Sequence, residues 1–410
     1  MNELSSLGLI LLFALLAGHL VKFLRVPEVT GYIFAGIIVG PSVLGFISHD
    51  NLNALAIFSE VALGLILFSI GSVFEFRRFR EAGAGVVRIT ITESLLAAVL
   101  VSSGMLLLGQ SWQVALLLGA ISVETAAAST LMVIRECNAE GPVSNTLLGV
   151  IGINNIFALA CFSLVGAAID FNGALGAGQG ELMLTLYQSV YPLVWQLIGS
   201  TALGFLIGVL LAVWAPHIKE QGEVLILMTG CVLLCVGTAM LLELSGMIAS
   251  LAVGATMVNL SAQSRRMFNA VSRTDPPFFA IFFVIAGADL NVALLKDIGL
   301  AGCVYVIARM AGKFIGARIG SAKAGLEESV QKLLGFGLFS QAGLAIGLTL
   351  VVNRRFPEYA PAVVTLVLAS VVVYELIGPI SAKLMILRSG ESKPRDVETT
   401  LLPEMEHHAG

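Results

Sequence analysis

Two adjacent amides, Asn154 and Asn155, interrupt an apolar run from Leu147 to Leu159. Glu124 stands one stretch earlier among small and hydroxylated residues, Gly119-Ala-Ile-Ser-Val-Glu-Thr-Ala-Ala-Ala-Ser129. A carboxylate, two amide oxygens and the Thr125 hydroxyl are the ligand types that hard cations take, and a carboxylate can also carry a proton. Arg309 and Lys313 are four residues apart, so they share one face of a helix. Two cations on one buried face need counter-charges, unless they snorkel towards water as Arg318 is expected to do. Glu60, Glu93, Asp289 and Glu375 sit in equally apolar surroundings. Ionisable residues in such places are costly to bury and are functional candidates by default. Each also has a plainer reading. Glu93 and Glu375 would pair with a neighbouring helix, Asp289 would sit at a water-filled mouth, and Glu124 would pair with a lysine while the asparagines bridge helices.

The elements that position these residues are membrane spans. Hydrophobic residues make up 57% of the 410-residue chain and charged residues 12%, with a mean hydropathy of +0.93. Soluble domains carry roughly 25% charged residues. The pattern predicts an all-α polytopic membrane protein of about thirteen transmembrane helices. They fall at about 5–25, 28–48, 53–74, 84–109, 112–135, 143–170, 187–215, 222–241, 244–260, 277–296, 298–320, 330–352 and 361–387. Loops after odd-numbered spans carry Lys22, Arg25, Arg77, Arg78, Arg80, Arg135, Lys219, Arg265, Arg266, Arg273, Lys323 and Lys332, whereas those after even-numbered spans carry Lys296, Arg354 and Arg355. The positive-inside rule therefore predicts the N-terminus outside and the C-terminus in the cytoplasm.

Glu124 lies about twelve residues into the fifth span, which a 1.5 Å rise places near the midplane, and Asn154 and Asn155 are expected at about the same depth. The segment around Glu124 can unwind where its backbone lines a cavity. The twelfth span has a matching Gly-rich segment, Gly335-Phe-Gly-Leu-Phe-Ser-Gln-Ala-Gly-Leu-Ala-Ile-Gly347, with Ser340 and Gln341 at its centre. Paired interrupted helices in two halves point to a transporter site between inverted repeats; close helix packing is the alternative.

Nothing suggests an enzyme: the sequence has no His cluster, Cys–His pair, zinc motif or phosphate loop, and no cofactor or resident metal is expected. The five cysteines and His19 read as packing or interface residues. The N-terminus lacks a basic leader, so no cleaved signal is expected. The segment 391–410 is expected to be a short acidic cytoplasmic tail with no nucleotide-binding module, and no nucleic-acid partner is indicated.

Several stretches resemble the second cation–proton antiporter family, in its Kef-like and NapA-like branch. They are Val26-Pro-Glu-Val-Thr-Gly-Tyr-Ile-Phe-Ala-Gly-Ile-Ile-Val-Gly-Pro41, Ala56–Gly71, Phe278–Leu290, Ala308-Arg-Met-Ala-Gly-Lys313, Ser340-Gln-Ala-Gly343 and Tyr374-Glu-Leu-Ile-Gly-Pro379. They occur in family order and together cover nearly all of residues 5–387. The resemblance implies the sodium/proton antiporter fold with inverted repeats and two crossing unwound helices. It also implies a homodimer with dimerisation helices in about 5–74 and part of 222–296, and a mobile core in about 84–170 and 298–387. Exchange of sodium or potassium for protons in a bacterial inner membrane follows. Thr125 matches the threonine of the first crossing, and Arg309 and Lys313 fall on the helix of the basic partners.

The departure from the family is Asn154-Asn155, where the family has Asp-Asp, Asn-Asp or Gln-Asp. Glu124 stands where relatives have a small residue, as though one carboxylate had moved to the next helix. Gly152, Ile153, Ile156 and Phe157 are atypical too, which points to divergence of the whole segment rather than two engineered changes. The expected site is therefore Glu124 with Asn154, Asn155 and Thr125, its charge offset by Lys313 or Arg309. The alternatives are carriage of an anion or organic solute, or a non-transporting member that regulates a partner.

Overall fold

The computed structural model describes residues 3–24, 26–72, 74–173, 191, 194–218, 220–290 and 299–393. Arg25, Lys219, Lys296, the beginning of the seventh expected span, the end of the tenth and the acidic tail beyond Lys393 lie outside the described residues. So do the side chains of Arg77, Arg78, Arg80 and Arg273.

Among the described residues the regular structure is entirely helical. The helices are α1 (Glu3–Phe23), α2 (Glu28–Val39), α3 (His49–Gly71), α4 (Phe76–Leu107), α5 (Trp112–Ile121), α6 (Ala127–Glu136), α7 (Pro142–Gly173) and α8 (Ser200–Trp214), the last entered through a π-helical turn at Trp195–Gly199. Then follow α9 (Gln221–Leu241), α10 (Gly246–Leu260), α11 (Ser264–Asp289), α12 (Gly299–Lys323), α13 (Glu328–Leu333), α14 (Gly343–Arg355) and α15 (Ala360–Ser389), with a 3-10 turn at Leu334–Leu338.

Eight of the described helices are long and apolar enough to cross a membrane, and Glu328–Leu338 with Gly343–Arg355, bent by 49°, makes a ninth. All thirteen expected spans overlap a helix. Four expected spans fall short: the fifth is split into α5 and α6, of 10 residues each, the tenth is apolar only over Pro276–Asp289 of α11, and α2 has 12 residues and α10 has 15. At 1.5 Å per residue α2 and α10 reach about 18 and 22 Å, short of a ~30 Å hydrocarbon core. Leucines of α1 stay exposed, Leu12 at 63% and Leu16 at 66%, as expected of a face that meets lipid.

Helix packing divides the chain in two. The first group contains α1, α2, α3, α8, α9, α10 and α11, and the second contains α4 to α7 and α12 to α15. The most extensive contact in the second group is α4 against α12. Gly312, Gly316 and Gly320 recur at every fourth position of α12, so its backbone can approach α4 closely. A Cβ at Gly316 would lie 2.7 Å from the Thr92 carbonyl oxygen and 2.9 Å from the Glu93 nitrogen. This approach fixes the depth of Glu93 against Lys313, one turn before Gly316. The two groups touch where α2 meets α6 and α15 and where α3 meets α6 and α7.

Candidate functional site

The fifth and twelfth expected spans are both broken. α5 ends at Ile121 and α6 begins at Ala127, while the 3-10 turn ends at Leu338 and α14 begins at Gly343. The two extended links cross, and the Ala126 N–H donates to the Ser340 carbonyl at 3.0 Å. A helix broken inside an apolar core leaves backbone groups without partners, and here side chains supply them. Gln341 Nε2 donates to the Ile121 carbonyl at 2.9 Å.

Arg309, fully buried on α12, donates to the carbonyls of Ser122 at 3.0 Å, Phe339 at 2.7 Å, Glu124 at 2.5 Å and Ser340 at 3.1 Å. A planar five-donor guanidinium suits this convergence of carbonyls from two chain segments. Its carbon also lies 4.4 Å from the centre of the Tyr374 ring, an attractive cation–π placement. One turn on, Lys313 donates to the Val123 carbonyl and to Thr125 Oγ1 at 2.9 Å. Two cations thus meet the carbonyl-rich ends of the broken helices, where the helix dipole is negative.

Lys313 has a full counter-charge. Its Nζ lies 2.6 Å from Glu93 Oε2, with both side chains 0% exposed. The other carboxylate oxygen, Oε1, accepts from Asn154 Nδ2 at 2.7 Å and from Ser94 Oγ at 2.9 Å. Asn154 Nδ2 also reaches the Val123 carbonyl at 2.9 Å. The result is an electroneutral unit of one acid, one base, an amide and hydroxyls.

Glu124 is different. It is 2% exposed, and its Oε2 accepts from the Ala342 N–H at 3.3 Å, immediately before α14. An anion is favoured there by the positive end of the helix. Among the described residues no lysine or arginine is paired with this carboxylate, so it stands ready to take a proton or a metal cation.

These positions correct parts of the expected site. Asn154 bonds to Glu93 rather than to Glu124, while Lys313 pairs with Glu93 and Arg309 binds carbonyls, so neither base forms an ion pair with Glu124. Asn155 is 9% exposed, and its Oδ1, like that of Asn154, is buried without a partner. Thr125 joins Lys313, and Ser340 and Gln341 lie in the crossing as expected. Glu375 is 3% exposed and its Oε1 has no partner. Glu60 on α3 and Asp289 at the end of α11 are exposed, well separated in burial from the crossing.

The residue that the expected site lacks is Glu93. Its signal was the polar cluster Thr90-Ile-Thr-Glu-Ser94, set opposite a helix that carries both Lys313 and a four-residue glycine repeat.

Two broken helices that cross inside a helical bundle, with charged side chains on the crossing, define a secondary transporter of the antiporter type. The profile described as "Sodium/hydrogen exchanger, transmembrane" matches residues 8–387, and the chain belongs to that family. The sodium proton antiporter MjNhaP1 of Methanocaldococcus jannaschii has the same fold. Its structure at pH 8 gives a TM-score of 0.67 at 18% identity, covering 94% of this chain and 98% of that one. Its electron-microscopy structure gives 0.73 at 17% identity, covering 96% and 99%. Among curated proteins, the iron transporter MagA of Paramagnetospirillum magneticum is 29% identical over 197 residues, which is 47% of this chain and 44% of that protein. The match therefore spans less than half the length of that relative.

Proposed function

We propose that the protein exchanges a monovalent cation, sodium or potassium, for protons by alternating access, with Glu124 as the acid that both compete for. The observation that carries this reading is the state of the Glu124 carboxylate. It is buried at the crossing, held by one backbone N–H at 3.3 Å, and has no basic side chain bonded to it. Burial of a carboxylate bonded in this way favours its protonated form or a bound cation. Glu93 is neutralised by Lys313, so it is the poorer candidate. Thr125 is taken up by Lys313, which leaves the buried, unpartnered Oδ1 atoms of Asn154 and Asn155 as the neutral amide oxygens.

In this scheme the helices of about 84–170 and 298–387 move as the core, and those of about 5–74 and part of 222–296 hold a second copy in a homodimer. The protein lies in a bacterial inner membrane with its C-terminus in the cytoplasm.

The test is proton flux in proteoliposomes on addition of sodium, potassium or lithium salts. An iron salt belongs in the same series, since MagA is named an iron transporter. Wild-type protein is expected to respond to a monovalent cation and Glu124→Gln to give no coupled flux. Full exchange in Glu124→Gln would remove Glu124 from its role. Wild-type protein without any cation response would favour an anion, an organic solute or a partner-regulating role.

A further inference from the structure

We propose that Glu375 is the second carboxylate of the cation site, acting with Glu124 so that one hard monovalent cation replaces two protons. This rests on the exchange reading above and assigns the site a second acid. Glu375 lies on α15, 3% exposed, with an Oε1 that has no hydrogen-bond partner. The residue before it, Tyr374, places its ring 4.4 Å from the guanidinium carbon of Arg309. That same guanidinium donates to the backbone carbonyl of Glu124 at 2.5 Å. Glu124 Oε2 accepts from the Ala342 N–H, two residues beyond Ser340, so the link that holds Glu124 is the one that meets the helix of Glu375.

A hydroxyl completes the oxygen set. Ser340 Oγ is fully buried and unpartnered. It lies against α15 at Gly378, where an added Cβ would stand 2.8 Å from the Ser340 Cα. Gly378 is three residues beyond Glu375 and so on the same face of the helix. The unpartnered hydroxyl thus meets the face of α15 that carries the unpartnered carboxylate.

Among the described residues no lysine or arginine forms a salt bridge with either acid. Arg309 directs its hydrogen bonds at four carbonyls, and Lys313 is paired with Glu93. Two carboxylates sharing a dry site repel when both are ionised, so the pair holds protons or draws a cation between its oxygens. An all-oxygen set suits a hard cation better than a thiophilic metal. When one monovalent cation enters and two protons leave, the site becomes one charge more negative, so each exchange cycle moves net charge.

The experiment uses the full chain in proteoliposomes, with sodium or potassium as the probe. It reads the cation concentration for half-maximal exchange and the proton-to-cation ratio, taken from the membrane potential at which flux reverses. The expected wild-type ratio is two. Glu375→Gln should still exchange, with a ratio of one and half-saturation raised roughly 10- to 100-fold, the loss of one charge-assisted contact. Glu375→Asp keeps the acid and should restore the ratio of two at weakened affinity. A wild-type ratio of one, or Glu375→Gln with wild-type ratio and affinity, overturns the assignment of Glu375 and leaves the exchange reading standing. A wild-type protein with no cation-driven flux overturns both. If Glu375→Gln fails to fold, Glu375→Asp decides: a ratio of two with weakened affinity supports the proposal, and unchanged affinity contradicts it.

Discussion

Arg309 and Lys313 stand one turn apart on α12, yet their surroundings give them different work. The arginine gathers four carbonyls from two broken helices, which holds the crossing together. The lysine adds a full ion pair with Glu93, 2.6 Å across and sealed from solvent. Removing one member of a buried pair leaves an uncompensated charge and costs about 3–5 kcal/mol, whereas replacing both is often close to neutral. Glu93→Gln and Lys313→Met should therefore each lower the unfolding temperature in detergent markedly, and the double variant should recover much of the loss. Additive losses in the double variant would mean that the two side chains do not act as a pair. Arg309→Lys should destabilise the crossing as well, because an ammonium cannot span the carbonyls of Ser122, Phe339, Glu124 and Ser340.

The broken helices were legible in the sequence. Glycine, serine and threonine clustered at 119–129 and 335–347 where spans should be most apolar, and the structure unwinds at both places. The partner of Lys313 was not legible, because it depends on how α4 and α12 register in space. That register comes from Gly312, Gly316 and Gly320, whose repeat becomes informative only when the facing helix is known. Depth along a span likewise placed Glu124 and Asn154 together, but it could not say that Asn154 bonds to Glu93 while Glu124 meets the Ala342 N–H. Gly316→Ala would force its new methyl to within 2.7 Å of the Thr92 carbonyl oxygen. Such overpacking costs about 1–3 kcal/mol and should shift α4 enough to disturb the Glu93–Lys313 pair. Unchanged thermal stability in this variant would contradict the close approach. A second element is tied down from outside the bundle. Glu391 accepts from the N–H groups of Val143 at 2.7 Å and Ser144 at 2.8 Å, capping the start of α7. Glu391→Ala should cost about 0.5–2 kcal/mol, as for loss of a helix N-cap, read as a lower unfolding temperature.

For the whole molecule, exchange requires the two helix groups to part at one end and close at the other. One end is held by a polar contact between them, which an ion pair on either side supports. Glu136, at the end of α6, accepts from the Glu28 N–H of α2 at 2.7 Å and from Lys383 of α15 at 2.8 Å. Glu28 in turn pairs with Lys22 at 2.6 Å. The charge pattern of the sequence predicts this end to be cytoplasmic. Glu136→Ala should loosen it, and neighbouring Cys137, 8% exposed, gives a reporter. In a chain keeping Cys137 as its sole cysteine, maleimide labelling should become faster in Glu136→Ala; an unchanged rate would show that Glu136 does not hold the groups together. The fold as a whole was the most readable level, since the all-helical class, the broken helices and the ordered motifs agreed. The chemistry of its centre was the least readable, since it rests on contacts between helices far apart in the sequence.

The most direct measurement remains proton flux in proteoliposomes driven by sodium or potassium, for wild type and Glu124→Gln. Cation-evoked flux in the wild type that disappears in Glu124→Gln is the predicted result. Equal flux in both proteins would contradict the central role of Glu124 and turn attention to the Glu93–Lys313 pair as the seat of exchange.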